Sequence, residues 1–254
     1  MALRAVLLKV FLKFSSFVFN NKSLKRLYLN MATFLSNHGI KPPLAPSSRS
    51  INKRWSQQGT SDSTIDPIIY TQEDRSLEEL FKEITPYLSK TSTILELGCN
   101  AGRSLNYLHS NGYRNLTGIE IGSEAVEIMK NSFPQMYQDS NIIVGDAPSQ
   151  IKKLSKDQFD LVFCHSVLVS IPPKDNSIFK DMARVSSKFI LILENEGSFK
   201  SYPRDFKKMF ESQGYKMIVS KVFTGMCLSF PMPFKEEDLY SNNTIRLFVE
   251  DKSR

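Results

Sequence analysis

The chain has 254 residues, of which 41 % are hydrophobic and 23 % charged. That composition supports a packed core and excludes wholesale disorder, and the length allows one domain with an extension or two small ones. The net charge of +7 is uneven: residues 1–61 hold ten Lys/Arg and no acid, whereas the remainder holds 23 basic and 26 acidic residues. A main domain that binds nucleic acid through general basic charge is therefore disfavoured. No uncharged apolar stretch reaches the roughly 18 residues of a transmembrane helix candidate. Cys99, Cys164 and Cys227 are too scattered for a disulfide scaffold, and with three histidines they offer no zinc spacing. A reducing, cytoplasmic compartment is expected.

The N-terminal quarter comes first. Residues 2–19 read ALRAVLLKVFLKFSSFVF. On a helix, Lys9, Lys13, Ser16 and Asn20 share a narrow face, and Leu8, Val10, Phe11, Leu12, Phe14, Phe17 and Val18 fill the rest. A second helix is expected from a cap at Ser23 to a stop at Gly39, with a stripe of Leu24, Leu27, Tyr28, Met31, Phe34 and Leu35. This extension, residues 1–40, reads as an anchor lying on an anionic membrane surface through residues 1–38. An organelle-targeting presequence and a cap helix on the protein's own core are the alternatives. Residues 41–62, with KPPLAPSSRS, read as a Pro/Ser-rich linker. The main domain is then residues 63–254.

From there, short apolar runs alternate with amphipathic segments. Ser76-Leu-Glu-Glu79 is a capping box that opens a helix. Strands are expected at 93–97, 116–121, 141–144, 159–163 and 188–193. Helices are expected at 103–110, 123–133, 147–154, 175–184 and 203–212. Two last runs, 216–223 and 244–250, have no helix between them and should pair antiparallel. Five β-α alternations require a mostly parallel sheet with helices on both faces, an α/β three-layer sandwich. Ligands bind such sheets beyond the carboxyl ends of the strands. That rule selects residues 98–103, 120–122, 145–148, 164–170 and 194–198. They all follow residue 93, so the domain alone should suffice for ligand binding.

At the first strand end, Gly98 lets the backbone turn and Gly102 lets a ligand approach the next helix. Glu120, 22 residues after Gly98, can accept hydrogen bonds from both ribose hydroxyls. Asp146 can take the exocyclic amine of an adenine. The absence of Gly-Lys-Ser/Thr excludes a P-loop. Glu120 and Asp146 could instead only cap the helices that follow them. Cys99 and Cys164 read as small buried hydrophobes rather than nucleophiles. His165, at the end of the fourth strand, is a candidate general base or a packing residue.

Taken together, ILELGCNAGRS, GIEI, VGDA and FDLVFCHSVL resemble the class I S-adenosylmethionine (SAM)-dependent methyltransferases over about residues 76–250. The resemblance implies a seven-stranded sheet of order 3-2-1-4-5-7-6 with strand 7 antiparallel, and SAM as cofactor. It implies that Glu96, Gly98, Cys99, Asn100 and Gly102 surround the methionine part. Glu120 and Ile121 would lie at the ribose, Asp146 and Ala147 at the adenine, and His165 near the sulfonium. The family's common G-x-G-x-G is here Gly98-Cys-Asn-Ala-Gly102, with Asn100 at the middle glycine. Tyr70 and Arg75 are candidates to close over the SAM carboxylate, and Glu194 to bind or orient an acceptor. The Asn/Asp-Pro-Pro-Tyr signature of base methylation is absent, since residues 164–167 read Cys-His-Ser-Val. The expected acceptor is a small molecule or a membrane-associated saccharide or lipid intermediate, methylated on a hydroxyl or an amine. Residues 225–234, GMCLSFPMPF, could form a lid or acceptor-pocket wall. A SAM-binding scaffold subunit without turnover is the reading from another class. No metal site is expected.

Overall fold

The computed structural model describes residues 21–60, 66–72, 74, 76–195, 201–223 and 243–253. Residues 1–20, part of the anchor read above over residues 1–38, and residues 225–234, read as a lid, lie outside the described residues, as does Arg75.

Seven strands form one sheet: β1 Ile94–Leu97, β2 Leu116–Glu120, β3 Asn141–Val144, β4 Phe159–His165, β5 Ser186–Asn195, β6 Tyr215–Val222 and β7 Asn243–Glu250. The order is β3-β2-β1-β4-β5-β7-β6. Strands β1 to β5 pair in parallel, and β7 runs antiparallel to both β5 and β6. This is the topology that the sequence resemblance implies.

The central strands are apolar on both faces because helices cover both. Period-two alternation divides their side chains between two cores. Leu95, Leu97, Val162, Cys164, Ile190 and Ile192 face one core. There α8 (Ser177–Val185) contributes Ile178, Phe179, Met182 and Val185, and α9 (Phe206–Glu211) contributes Phe206 and Phe210. Ile94, Leu161, Phe163, Leu191, Leu193, Ile245 and Leu247 face the other. That side is closed by α3 (Ser76–Lys82), α4 (Arg103–Ser110), α5 (Ser123–Ser132) and α6 (Pro134–Asp139). Pro134 does end α5 as expected, but it also starts α6, since proline is suited to a first helical turn. A short α7, Ala147–Gln150, follows β3.

Two expectations for the N-terminal quarter are corrected. The first helix described, α1, spans Lys22–Asn37 and is capped by Asn21, whose Oδ1 accepts from the Ser23 and Leu24 N–H groups at 3.1 Å. Its buried face is Tyr28, Ala32 and Ser36, not the larger apolar stripe. Leu27, Met31 and Phe34 from that stripe remain 66 %, 42 % and 61 % exposed. The small side chains at 32 and 36 allow the close approach. Asn176 Nδ2 then reaches the Ser36 carbonyl at 2.7 Å, and the Asp205 N–H reaches Asn37 Oδ1 at 3.2 Å.

The second correction concerns residues 41–62, expected as a linker. They contain a helix, α2, at Ser48–Ser56. Ser47 caps it through the Ser50 N–H at 3.1 Å. Ile51 and Trp55 share one face at a spacing of four and pack with Ala45 and Tyr202. Tyr202 also donates its hydroxyl to the Pro46 carbonyl at 2.7 Å. The polar composition of the segment hid this two-residue anchor.

Candidate active site

A cleft opens beyond the carboxyl ends of β1, β2 and β4, where the parallel topology leaves strand ends uncovered. Glu96, Gly98, Cys99, Asn100, Glu120, Ile121, Asp146, Ala147, His165 and Tyr70 all line it. Arg103, Ser104, Trp55, Val167 and Ile171 line it as well.

The turn after β1 is shaped by three left-handed residues, Gly98, Asn100 and Gly102. Gly98 has φ 69°, and a Cβ there would stand 2.5 Å from Val167 Cγ2. Asn100 has φ 46°, a region that asparagine tolerates better than other side chains. Its Oδ1 accepts from the Ala101 N–H at 2.8 Å, which explains how asparagine replaces the middle glycine. Gly102 has a different reason from the one expected. It does not line the cleft; a Cβ there would meet Met129 Cγ at 2.6 Å, so the glycine allows α4 to pack on α5.

Glu120 is buried at the tip of β2. Its Oε1 accepts from the Gly122 N–H at 2.7 Å and Gln58 Nε2 at 3.2 Å, and its Oε2 accepts from the Asn100 N–H at 2.8 Å. Burial pushes its carboxyl above the usual range, and the backbone donors pull it back. Asp146 both lines the cleft and caps α7. Its Oδ2 accepts from the Ser149 N–H at 3.2 Å and from the Ser149 hydroxyl at 2.6 Å.

Glu96 is a strongly perturbed acid of the cleft. Burial raises its carboxyl from 4.5 to about 8, against the pull of the Ser104 hydroxyl and of the charges on His165 and Arg103. Its Oε2 is buried with no hydrogen-bond partner among the described residues. Nε and Nη1 of Arg103 are in the same condition. Arg103 Nη2 pairs with Asp74 Oδ2 at 3.0 Å, and the guanidinium lies 5.7 Å from the Tyr70 ring centroid. Arg103 stands inside the quoted motif NAGRS, yet it reads there as an ordinary helix opener. Its position beside Gly102 was the available signal.

Two nucleophile-type side chains are buried. Burial and the neighbouring carboxylates push the Cys99 and Cys164 thiols well above their ordinary range. Cysteine here packs as a small hydrophobe, as expected.

Glu194 is corrected. It is fully buried and does not line the cleft. Oε1 accepts from the Val167 and Leu168 N–H groups at 2.9 and 2.8 Å and from the Cys164 thiol at 3.4 Å; Oε2 accepts from the Val169 N–H at 3.3 Å. The carboxylate holds the turn after β4 rather than an acceptor. Buried Arg204 holds the same turn by donating to the Leu168 and Ile171 carbonyls at 2.9 and 2.6 Å. Together they fix where His165 and Val167 face the cleft.

Residues 94–188 match the protein family described as "Methyltransferase domain". This matched stretch is less than half of the chain. It contains every cleft residue from Glu96 to Ile171 and excludes Trp55 and Tyr70. Over 131 residues the chain is 28 % identical to the probable methyltransferase LtbC of Aspergillus luteorubrus, covering 47 % of this chain and 42 % of that protein. It is 24 % identical to a polyamine aminopropyltransferase of Thermoplasma volcanium, covering 61 % and 60 %. The chain thus spans about half the length of these curated relatives. Among solved structures, magnesium protoporphyrin IX methyltransferase of Synechocystis PCC 6803, determined with bound SAM, superposes with a TM-score of 0.54 at 12 % identity. That likeness covers 72 % of this chain and 88 % of the other, and it shows the fold: that of the class I SAM-dependent methyltransferases.

The residues of the cleft fit SAM. An α-amino acid end carries an ammonium and a carboxylate. The cleft offers the buried, unmatched Glu96 Oε2 to the first and unmatched Arg103 N–H groups to the second. Such atoms are costly unless something meets them.

Proposed function

We propose that the chain is a SAM-dependent methyltransferase acting on a small molecule or a membrane-associated saccharide or lipid intermediate, with a hydroxyl acceptor favoured over an amine. The observation that carries this reading is the pair of unmatched buried groups, Glu96 and Arg103, in one cleft with the acceptor-rich Glu120. Glu96 and Arg103 would hold the methionine end, Glu120 the ribose, and Asp146 and Ala147 the adenine side. SAM supplies an activated methyl group on a sulfonium with a good leaving group. The protein is then left mainly to align the acceptor and exclude water.

His165 lies at the cleft end of β4, close enough to Glu96 to influence its charge. As a general base it would take the proton of an acceptor hydroxyl at an imidazole nitrogen. The cleft walls near it, Val167, Ile171, Pro172, Ile51 and Trp55, are apolar and suit an acceptor with an apolar body. The exposed Leu27, Met31 and Phe34 on α1, with the acid-free sequence of residues 1–61, support attachment to an anionic membrane surface. No helix among the described residues is long and apolar enough to cross a membrane.

Calorimetric titration of the full chain with SAM, followed by transfer of labelled methyl from SAM to fractionated cell extracts, tests the reading. Binding with labelled product is expected. Binding without any product would favour a SAM-binding scaffold subunit, and no binding would discard both. Once an acceptor is found, His165→Ala should lower turnover by about 10²–10⁴-fold with SAM affinity nearly intact.

A further inference from the structure

Gln58 lies far from the methyltransferase motifs in sequence and is fully buried against them. Its Nε2 donates to Glu120 Oε1 at 3.2 Å, and its Oε1 accepts from Asn100 Nδ2 at 3.0 Å. One carboxamide thus ties the β2 carboxylate to the turn after β1. The surroundings are cut to admit it. A Cβ on Gly122 would stand 2.7 Å from Gln58 Nε2 and 3.0 Å from the Trp55 carbonyl. Gly59 has φ 78°, and a Cβ there would meet Glu124 Cγ at 2.7 Å. Ile51, Asn52 and Trp55, from the same segment, line the cleft.

We infer that residues 48–60 are the outer wall of the cofactor site, with Gln58 the positioning residue for Glu120 and Asn100. The inference rests on the reading that this cleft binds SAM. A carboxylate offers about four acceptor positions. In Glu120 two backbone N–H groups and Gln58 take three of them, from three directions. The carboxylate plane is thereby fixed, and Oε2 keeps a position for a ribose hydroxyl. Without Gln58 the carboxylate can turn about its terminal torsion, and the Asn100 side chain loses its acceptor. The segment is therefore part of the binding machinery rather than a tether to it.

The test measures SAM affinity of the full chain by equilibrium dialysis with labelled SAM. Gln58→Leu removes the donor and acceptor, and should weaken SAM binding about tenfold. In a Glu120→Gln background the same change should cost no more than about threefold, because the part of its effect that passes through Glu120 is lost and only the part that passes through Asn100 remains. Gln58→Met keeps the unbranched stem and serves where Gln58→Leu fails to fold; the same two results are expected. Affinity within twofold of the parent for the single variant, or losses that multiply in the double variant, would overturn the inference. A parent chain that binds no SAM would instead overturn the reading of the cleft.

Discussion

The sheet domain and the N-terminal extension treat apolar side chains differently. In the sheet, β1, β4 and β5 are covered on both faces, and aromatic residues such as Phe81, Phe163, Phe179 and Phe210 are fully buried in two continuous cores. In the extension, α1 buries Tyr28 and Ala32 against partly buried Leu24, Leu29 and Leu44, while α2 buries little beyond Ile51. The larger apolar side chains of α1 face outward. The sheet domain therefore draws its stability from burial. The extension is held by a few hydrogen bonds and a thin apolar contact, and its surface is available for other work. Its two helices differ in turn: α2 contributes Ile51, Asn52 and Trp55 to the lining of the cleft, and α1 contributes no lining residue.

The largest effect that sharpens this contrast is on stability. Phe163→Ala should cost about 3–5 kcal/mol, since the ring packs edge-on to Phe81 in a closed core with no room to collapse. Leu27→Ala, on the exposed face of α1, should stay within about 0.5 kcal/mol. Denaturant melts of the two variants check the pair. A loss of several kcal/mol at Leu27 would mean that α1 is covered, and the contrast would break.

Next comes the cleft. Glu120→Ala should weaken SAM binding at least tenfold, consistent with hydrogen bonds to a charged group worth about 1.5–3 kcal/mol each. Asp146→Ala should weaken it less, because Asp146 is less buried and also serves as a helix cap. Calorimetry on folded variants decides; unchanged affinity at Glu120 would remove it from the ribose position.

Much of this site was legible because strand ends and glycine turns leave periodic marks. The run ILELG announces a strand ending in a turn, and Glu120 falls one strand later at the spacing that faces the same cleft. What was not legible depends on contacts across long sequence distance. Glu194 is placed correctly at the end of β5, but only the folded turn 167–169 shows that its oxygens are already taken. Gln58 has no local signal, because its partners are 42 and 62 positions away. The orientation of the α1 stripe was not legible either. Helical periodicity locates an apolar face, yet does not say that the face is turned toward the domain.

A smaller effect follows from Glu96. Its carboxyl is raised from 4.5 to about 8 in the folded protein, so the folded state holds a proton that the unfolded chain releases between those values. Its contribution to stability is full below about pH 4.5 and declines as pH rises toward about 8. Cofactor binding runs the other way. A cation beside Glu96 favours the ionised carboxylate, so SAM affinity should rise between pH 6 and 8, by up to about tenfold per unit. Binding near pH 7 should release a proton, seen as a calorimetric heat that depends on the buffer's ionisation enthalpy. Glu96→Gln should abolish that dependence. A flat profile in the parent chain would place the cation elsewhere.

The smallest effect on the folded protein concerns the outward face of α1, and it tests where the protein works. Leu27, Met31 and Phe34 lie at i, i+4 and i+7 and so share one helical face. Exposed Arg26 flanks them on the same helix, and exposed Lys22, Lys41, Arg49, Lys53 and Arg54 lie in the same acid-free quarter. An apolar stripe with flanking cations and no acid matches the boundary of an anionic bilayer. Each Lys or Arg near such a surface adds about 1 kcal/mol, and the apolar insertion is not screened by salt. The full chain should therefore sediment with phosphatidylserine-containing vesicles, more weakly in 0.5 M salt (about a 4 Å screening length) but not to zero. A Leu27→Asp/Phe34→Asp double variant should lose most of that binding while keeping its melting temperature and SAM affinity, because neither side chain is buried or lines the cleft. Vesicle binding that survives the double variant would move the contact to another part of the chain. A fall in SAM affinity would instead tie α1 to the cleft that α2 walls.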